Sequence, residues 1–202
     1  VIKDFMIQGG AQDTRNAPPG AMVGSGDRSM EILPEFREAH FHKKGTLSAP
    51  RRGDNENPQK KSDMSQIFIV QGKKMTEGRL DSLEMSVNVP IRNAATRKYY
   101  IPFKDELAEL KENDPSAFND RLDQIMHQID SAFNASPDKF FFKPEQREAY
   151  STHGGARHLD MEYTAYGEVI DGLDVIDKIA SLKTDGNNRP KEDAKMIKVY
   201  VK

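Results

Sequence analysis

Val1-Ile2-Lys3-Asp4-Phe5-Met6-Ile7-Gln8-Gly9-Gly10 opens the chain, and its reading decides the fold. Apolar residues recur up to Gln8 and a glycine pair closes the run, which predicts a strand over Val1–Gln8. Side chains alternate across a pleat, so Met6 and Gln8 share one face and Phe5 and Ile7 the other. The most strand-like run lies downstream in Gln66-Ile67-Phe68-Ile69-Val70, where Gln66 and Phe68 likewise share a face.

Working outward, 202 residues suffice for one domain with at most a satellite and a sizeable core. A net charge of −2, with 31% charged and 36% hydrophobic residues, describes a large polar surface without the basic footprint of a nucleic-acid binder. Lys43-Lys44 and Arg51-Arg52 are short basic pairs balanced by nearby acids and read as solvated loop charges. With no cysteine, disulfides, thiolate nucleophiles and Cys-based zinc sites are excluded. No apolar stretch approaches the roughly 20 residues of a membrane span. No signal-peptide pattern opens the chain, which leaves the compartment open.

Ala11 to Arg28 is rich in Gly, Pro, Asn and Asp and reads as an irregular loop. Met30 to Phe36 is a short apolar segment broken by Pro34, Thr46 to Ala49 a short strand, and Asp54 to Lys61 a loop. After Gly72 the pattern turns helical. Thr76 is placed to cap a helix carrying Leu80 and Leu83, and Phe103, Leu107 and Leu110 form a second amphipathic series. Asn113-Asp114-Pro115 reads as a cap with proline in the first turn, ahead of a stripe of Phe118, Leu122, Ile125, Met126, Ile129 and Phe133. Pro144 begins a short helix that Gly154-Gly155 ends. Tyr163 to Val169 reads as strand, the segment after Asp174 as a helix through Ile176 and Ala180, and Met196 to Val201 as a final strand.

Three blocks carry a family resemblance. They are Phe5-Met6-Ile7-Gln8-Gly9-Gly10; Gly45-Thr46-Leu47-Ser48-Ala49 with Ser65-Gln66-Ile67-Phe68-Ile69; and His158-Leu159-Asp160 with Tyr166 to Ile179. In that order they resemble cyclophilins, the peptidyl-prolyl cis-trans isomerases, over about residues 1–72 and 156–202. The resemblance implies a mainly β fold with helices: an eight-stranded antiparallel barrel with a helix at each end. Residues 73–155 are then a helical insertion, as in some bacterial cyclophilins. It also implies that two strands, a helix and the start of a third strand precede Val1. The family's catalytic arginine would stand just before Val1. On that reading a chain starting at Val1 is expected to be inactive or misfolded alone, with function residing in a longer protein.

The resemblance implies these roles residue by residue. Gln8 is the catalytic position retained, orienting the arginine and bonding the substrate backbone. Phe5, Met6, Phe68 and Leu159 line an apolar pocket for the proline ring, and Gln66 adds a polar contact. Pro50 stands where a small alanine often lines the site, and the backbone at Arg51 where the family pairs with the substrate chain. Tyr163 occupies the place of a histidine in many eukaryotic members, and His158 that of a tryptophan or another residue.

Plainer readings stand beside these. Phe68 and Met6 also suit a barrel core, Gln8 a satisfied polar group, and His158 and Tyr163 a pocket rim. The family's usual pattern is altered at Lys3-Asp4, Met64 and Ile67, and Pro50 lacks a backbone donor for substrate pairing. His40-x-His42 and His153 with His158 have no acidic or cysteine partner at ligand spacing, so no metal is expected. Gly24-Ser25-Gly26 lacks the strand–helix context of a phosphate cradle and reads as a turn. Asp54-Asn55-Glu56-Asn57 lacks the glycine and terminal glutamate of a calcium loop.

The function expected is isomerisation of X-Pro bonds in proline-containing peptides or unfolded chains, without cofactor, nucleic acid or membrane span. The alternative is a catalytically weak proline-peptide-binding or chaperone module on the same fold. The resemblance leans toward the bacterial periplasm or cell envelope.

Overall fold

The computed structural model describes residues 1–202. Strands β1 (Met6–Gly9), β2 (Glu31–Ile32), β3 (Thr46–Ser48), β4 (Ser62–Asp63) and β5 (Ile67–Val70) come first. Helices α1 (Glu77–Tyr99), α2 (Lys104–Asn113), α3 (Pro115–Asn134) and α4 (Pro144–Thr152) follow, then β6 (Ala165–Glu168) and α5 (Leu173–Ala180). The chain divides into two compact units, Val1–Met75 with Pro144–Lys202, and Thr76–Lys143.

In the first unit a four-stranded antiparallel sheet runs in the order β1-β5-β3-β6. β2 and β4 pair separately. These sheets are not closed into a barrel, because no ladder joins the edge strands β1 and β6. The expected mainly β chain is a mixed one, with more residues in helices than in strands.

Two strand expectations are corrected. The opening strand begins at Met6, since Lys3–Phe5 form a turn closed by the Ile2–Met6 bridge, with Asp4 at φ 65°. Met196–Val201 forms no strand, and Ile197 and Val201 are 96% and 97% exposed. Alternation alone does not make a strand; its backbone groups need a neighbouring edge.

Gly155 threads between two chain segments. It exchanges backbone hydrogen bonds with Lys73, while the next residue, Ala156, donates to the His42 carbonyl at 2.8 Å. A Cβ at Gly155 would lie 2.5 Å from the His42 carbonyl oxygen and 2.5 Å from the Tyr150 ring, so only glycine fits there.

The second unit is helical. Thr76 caps α1 by accepting from the Arg79 N–H. Asp114 caps α3 through the N–H groups of Ser116 and Ala117, with Pro115 in the first turn. Ala95, Leu107, Ile125 and Ile129 form its buried core, flanked by Phe103, Phe118 and Leu122. Of the stripe read along α3, Ile125 and Ile129 are buried, whereas Met126 faces outward at 38% exposure. No helix is long and apolar enough to cross a membrane.

Candidate active site

The site is built around Phe68. β5 pairs with β1 so that Gln8 stands opposite Phe68, and with β3 so that Ser48 does. Met6, Gln8, Ser48, Phe68 and Val70 therefore share one sheet face. Phe68 and Val70 are buried there with Ala156 and Leu159, which come from the 3₁₀ turn around Arg157–Leu159. Half-buried Phe5, Met6 and Tyr163 pack against these four. Phe68 and Leu159 thus belong to the buried base of the cluster, and the other three to its accessible side. Strand parity puts Phe5 opposite this face, yet it reaches the cluster because it lies in the turn before β1.

The aromatic geometry is specific. Tyr163 meets Phe68 edge-on, with ring centres 5.8 Å apart and an interplanar angle of 87°. The His42 ring lies parallel to Phe68 at 6.2 Å, and Phe5 meets His158 at 5.1 Å. The Arg51 guanidinium sits 4.7 Å over Tyr163. Arg51 is otherwise engaged, since it donates to the Glu162 carbonyl and carboxylate, the Arg52 carbonyl and Asp54. It acts as a brace for Tyr163. Pro50 is buried outside this cluster, and its carbonyl accepts from the Asp63 N–H at 2.8 Å.

Beside the cluster lies a polar pair. The Gln8 side-chain amide donates to Gln66 Oε1 at 3.0 Å. Gln66 is buried and Gln8 exposed, so Gln8 carries the pair outward to solvent. A cavity of about 210 Å³ around Pro19, Gly20, Asp185 and Arg189 is lined by none of these residues.

Comparison with known proteins decides the family. The family model described as cyclophilin type peptidyl-prolyl cis-trans isomerase/CLD matches residues 1–201. The chain belongs to that family. This cyclophilin-type chain is 34% identical over 71 residues to peptidyl-prolyl cis-trans isomerase 10 of Caenorhabditis elegans, covering 35% of the chain and 41% of that relative. It is 25% identical over 194 residues to a Staphylococcus haemolyticus protein whose name carries the term peptidyl-prolyl cis-trans isomerase, covering 96% of the chain and 65% of that relative. The chain spans less than two thirds of the length of either relative.

Around this apolar cluster stand residues to which sequence reading gave no site role. Asp160, next to Leu159, accepts from the His42 N–H at 2.7 Å and from its ring Nδ1 at 3.1 Å. Its other oxygen accepts from the Tyr150 hydroxyl at 2.5 Å. An ionised carboxylate only accepts, so the Nδ1 proton of His42 is held toward Asp160. Burial, then the Asp160 charge, push the Tyr150 hydroxyl well above its ordinary range, so it remains a donor. Burial, then neighbouring His42, lower the His158 pKa and favour its neutral form. His42, Tyr150 and Asp160 lie far apart in sequence with no motif spacing. The one readable signal was His158-Leu159-Asp160 as a block.

Proposed function

We propose that this protein is a peptidyl-prolyl cis-trans isomerase that acts on X-Pro bonds of peptides and unfolded chains. The observation that carries the reading is the apolar cluster of Phe5, Met6, Phe68, Leu159 and Tyr163 with the Gln8–Gln66 pair on the adjoining sheet face.

The chemistry asks for little more than shape and directed dipoles. Resonance gives the prolyl C–N bond a rotation barrier of about 18–20 kcal/mol. A catalyst lowers it by binding the twisted amide better than either planar form. An apolar pocket holds the proline ring while the preceding carbonyl swings. Phe68 and Leu159 suit the floor of such a pocket, and Met6, Phe5 and Tyr163 its wall. Gln8 is placed to bond the substrate backbone or to orient a cationic donor. On this reading no proton is removed and no covalent intermediate forms.

The same reading takes the sheet β1-β5-β3-β6 as part of the family's eight-stranded barrel. It takes the helical segment as an insertion after the Phe68 strand. The distinct core of Thr76–Lys143 supports the second point.

The test is a proline-tetrapeptide isomerisation assay on the full-length protein, comparing wild type with Phe68→Ala and Gln8→Ala. Faster isomerisation than the uncatalysed rate, lost in Phe68→Ala while folding persists, supports the proposal. Wild-type kcat/KM in both variants would sink it.

A further inference from the structure

We propose that Asp63 is a positioning residue: it sets the direction of a side-chain amide relay, Asp63–Gln66–Gln8, so that Gln8 presents a hydrogen-bond acceptor to the substrate. This deepens the proposed function and rests on Gln8 belonging to that site.

The argument runs from Asp63 outward. Asp63 is 7% exposed. Its Oδ1 accepts from the Ser65 N–H at 2.8 Å and the Ser65 hydroxyl at 2.5 Å. The Ser65 hydroxyl in turn accepts from the Asp27 N–H at 3.0 Å, which fixes its own direction. The second oxygen, Oδ2, lies 3.3 Å from Gln66 Nε2. A carboxylate has no proton to give, so the Gln66 NH₂ must face it. The Gly24 carbonyl, 3.5 Å from the same nitrogen, is also acceptor-only and adds to the same orientation at the limit of hydrogen-bond reach, leaving Asp63 to decide it.

With its NH₂ turned to Asp63, Gln66 offers only Oε1 to Gln8. Gln8 must donate to it, which turns the Gln8 carbonyl oxygen away from the pair. Gln8 is exposed and stands opposite Phe68, so that oxygen is left for a donor at the pocket: a peptide N–H or a cation. Gln66 is 4% exposed, so water does not substitute freely for its partners.

The loop that reads as a simple turn in the sequence is built for this contact. Gly26 sits at φ +72°, and a Cβ there would lie 1.9 Å from Asp63 Oδ2 and 2.9 Å from Gln66 Nε2. Gly24-Ser25-Gly26 therefore closes over the Asp63–Gln66 pair and requires glycine where it does so.

The test is a rescue. In Asp63→Asn, the retained Oδ1 keeps both Ser65 bonds, but an NH₂ replaces Oδ2. The Gln66 amide then turns over, Gln8 turns with it, and a donor faces the pocket. Adding Gln66→Glu restores the direction, because the Glu carboxylate accepts from both the Asn NH₂ and the Gln8 NH₂. Expected for a proline tetrapeptide is a loss of kcat/KM of about tenfold or more in D63N with an unshifted melting temperature, and recovery to within about threefold in D63N/Q66E. The Gln8 side-chain amide peaks in a ¹⁵N spectrum move in D63N and return in the double variant.

Wild-type kcat/KM in D63N, or a double variant no better than D63N, overturns the relay when Gln8→Ala is itself impaired. If Gln8→Ala keeps full activity, the site assignment has failed, and the amide peaks judge the relay alone: unmoved peaks in D63N overturn it.

Discussion

Asp160 grips His42 twice, through the backbone N–H at 2.7 Å and ring Nδ1 at 3.1 Å, on a single carboxylate oxygen. His42 is fully buried and lies parallel to Phe68, so the carboxylate next to Leu159 also steadies the ring that stacks on Phe68. Asp160→Ala removes the acceptor for a buried N–H and a buried ring nitrogen. We expect it to destabilise the protein by roughly 2–4 kcal/mol in urea unfolding, because unpaired buried donors carry their full desolvation cost. Asp160→Asn keeps one acceptor oxygen and should lose less; equal losses would count against the double grip.

Phe68 contacts both His42 and Tyr163 through its ring. Phe68→Leu retains apolar bulk but loses both ring contacts. The expected cost is about 1–2 kcal/mol of stability, with kcat/KM for a proline peptide lowered by about tenfold. Chemical denaturation beside peptide kinetics separates the two effects. Full activity in a folded variant would remove Phe68 from the pocket.

His158 titrates below the 6.5 of a free histidine, chiefly through burial, with His42 adding to the effect. A depressed folded-state pKa means the unfolded chain takes up the proton first as pH falls. The stability held by neutral His158 is therefore complete above about pH 6.5 and declines below it, down to the lowered folded value. Melting temperatures between pH 5 and 8 should fall on the acid side in wild type and fall less in His158→Phe, which keeps a ring against Phe5. Parallel curves for the two proteins would refute this assignment.

Gly155 has the His42 carbonyl and the Tyr150 ring within 2.5 Å of where a Cβ would stand. The neighbours are backbone and a fully buried ring, neither of which yields easily. Gly155→Ala should therefore cost about 1–3 kcal/mol through overpacking and lower the melting temperature. Gly53→Ala, with open space around it, is the control and should leave stability nearly unchanged.

Much was legible in local pattern. The caps at Thr76 and Asp114, the start of α4 at Pro144 and the strand through Phe68 follow from side-chain chemistry within a few residues. So did the shared face of Met6 and Gln8 and that of Gln66 and Phe68, because strand parity is a property of neighbours in sequence; the pairing of β1 with β5 brought Gln8 opposite Phe68. Other features depended on partners distant in the chain. Met196–Val201 alternates as well as a strand does, but no sheet edge receives it. Phe5 has the parity of the outer face, and a turn at Asp4 brings it inward.

The sequence by itself determined the helix starts at Thr76, Asp114 and Pro144 and the strand through Phe68, since these rest on short-range sterics and hydrogen bonding. Only the tertiary structure decided how polar groups were directed. Gln66 has a donor and an acceptor at equal reach, and even with Asp63 three residues away the residue types alone do not show which one faces Gln8. That choice came when the fold placed the Asp63 carboxylate and the Gly24 carbonyl around its nitrogen, where an acceptor leaves a buried amide one satisfied orientation.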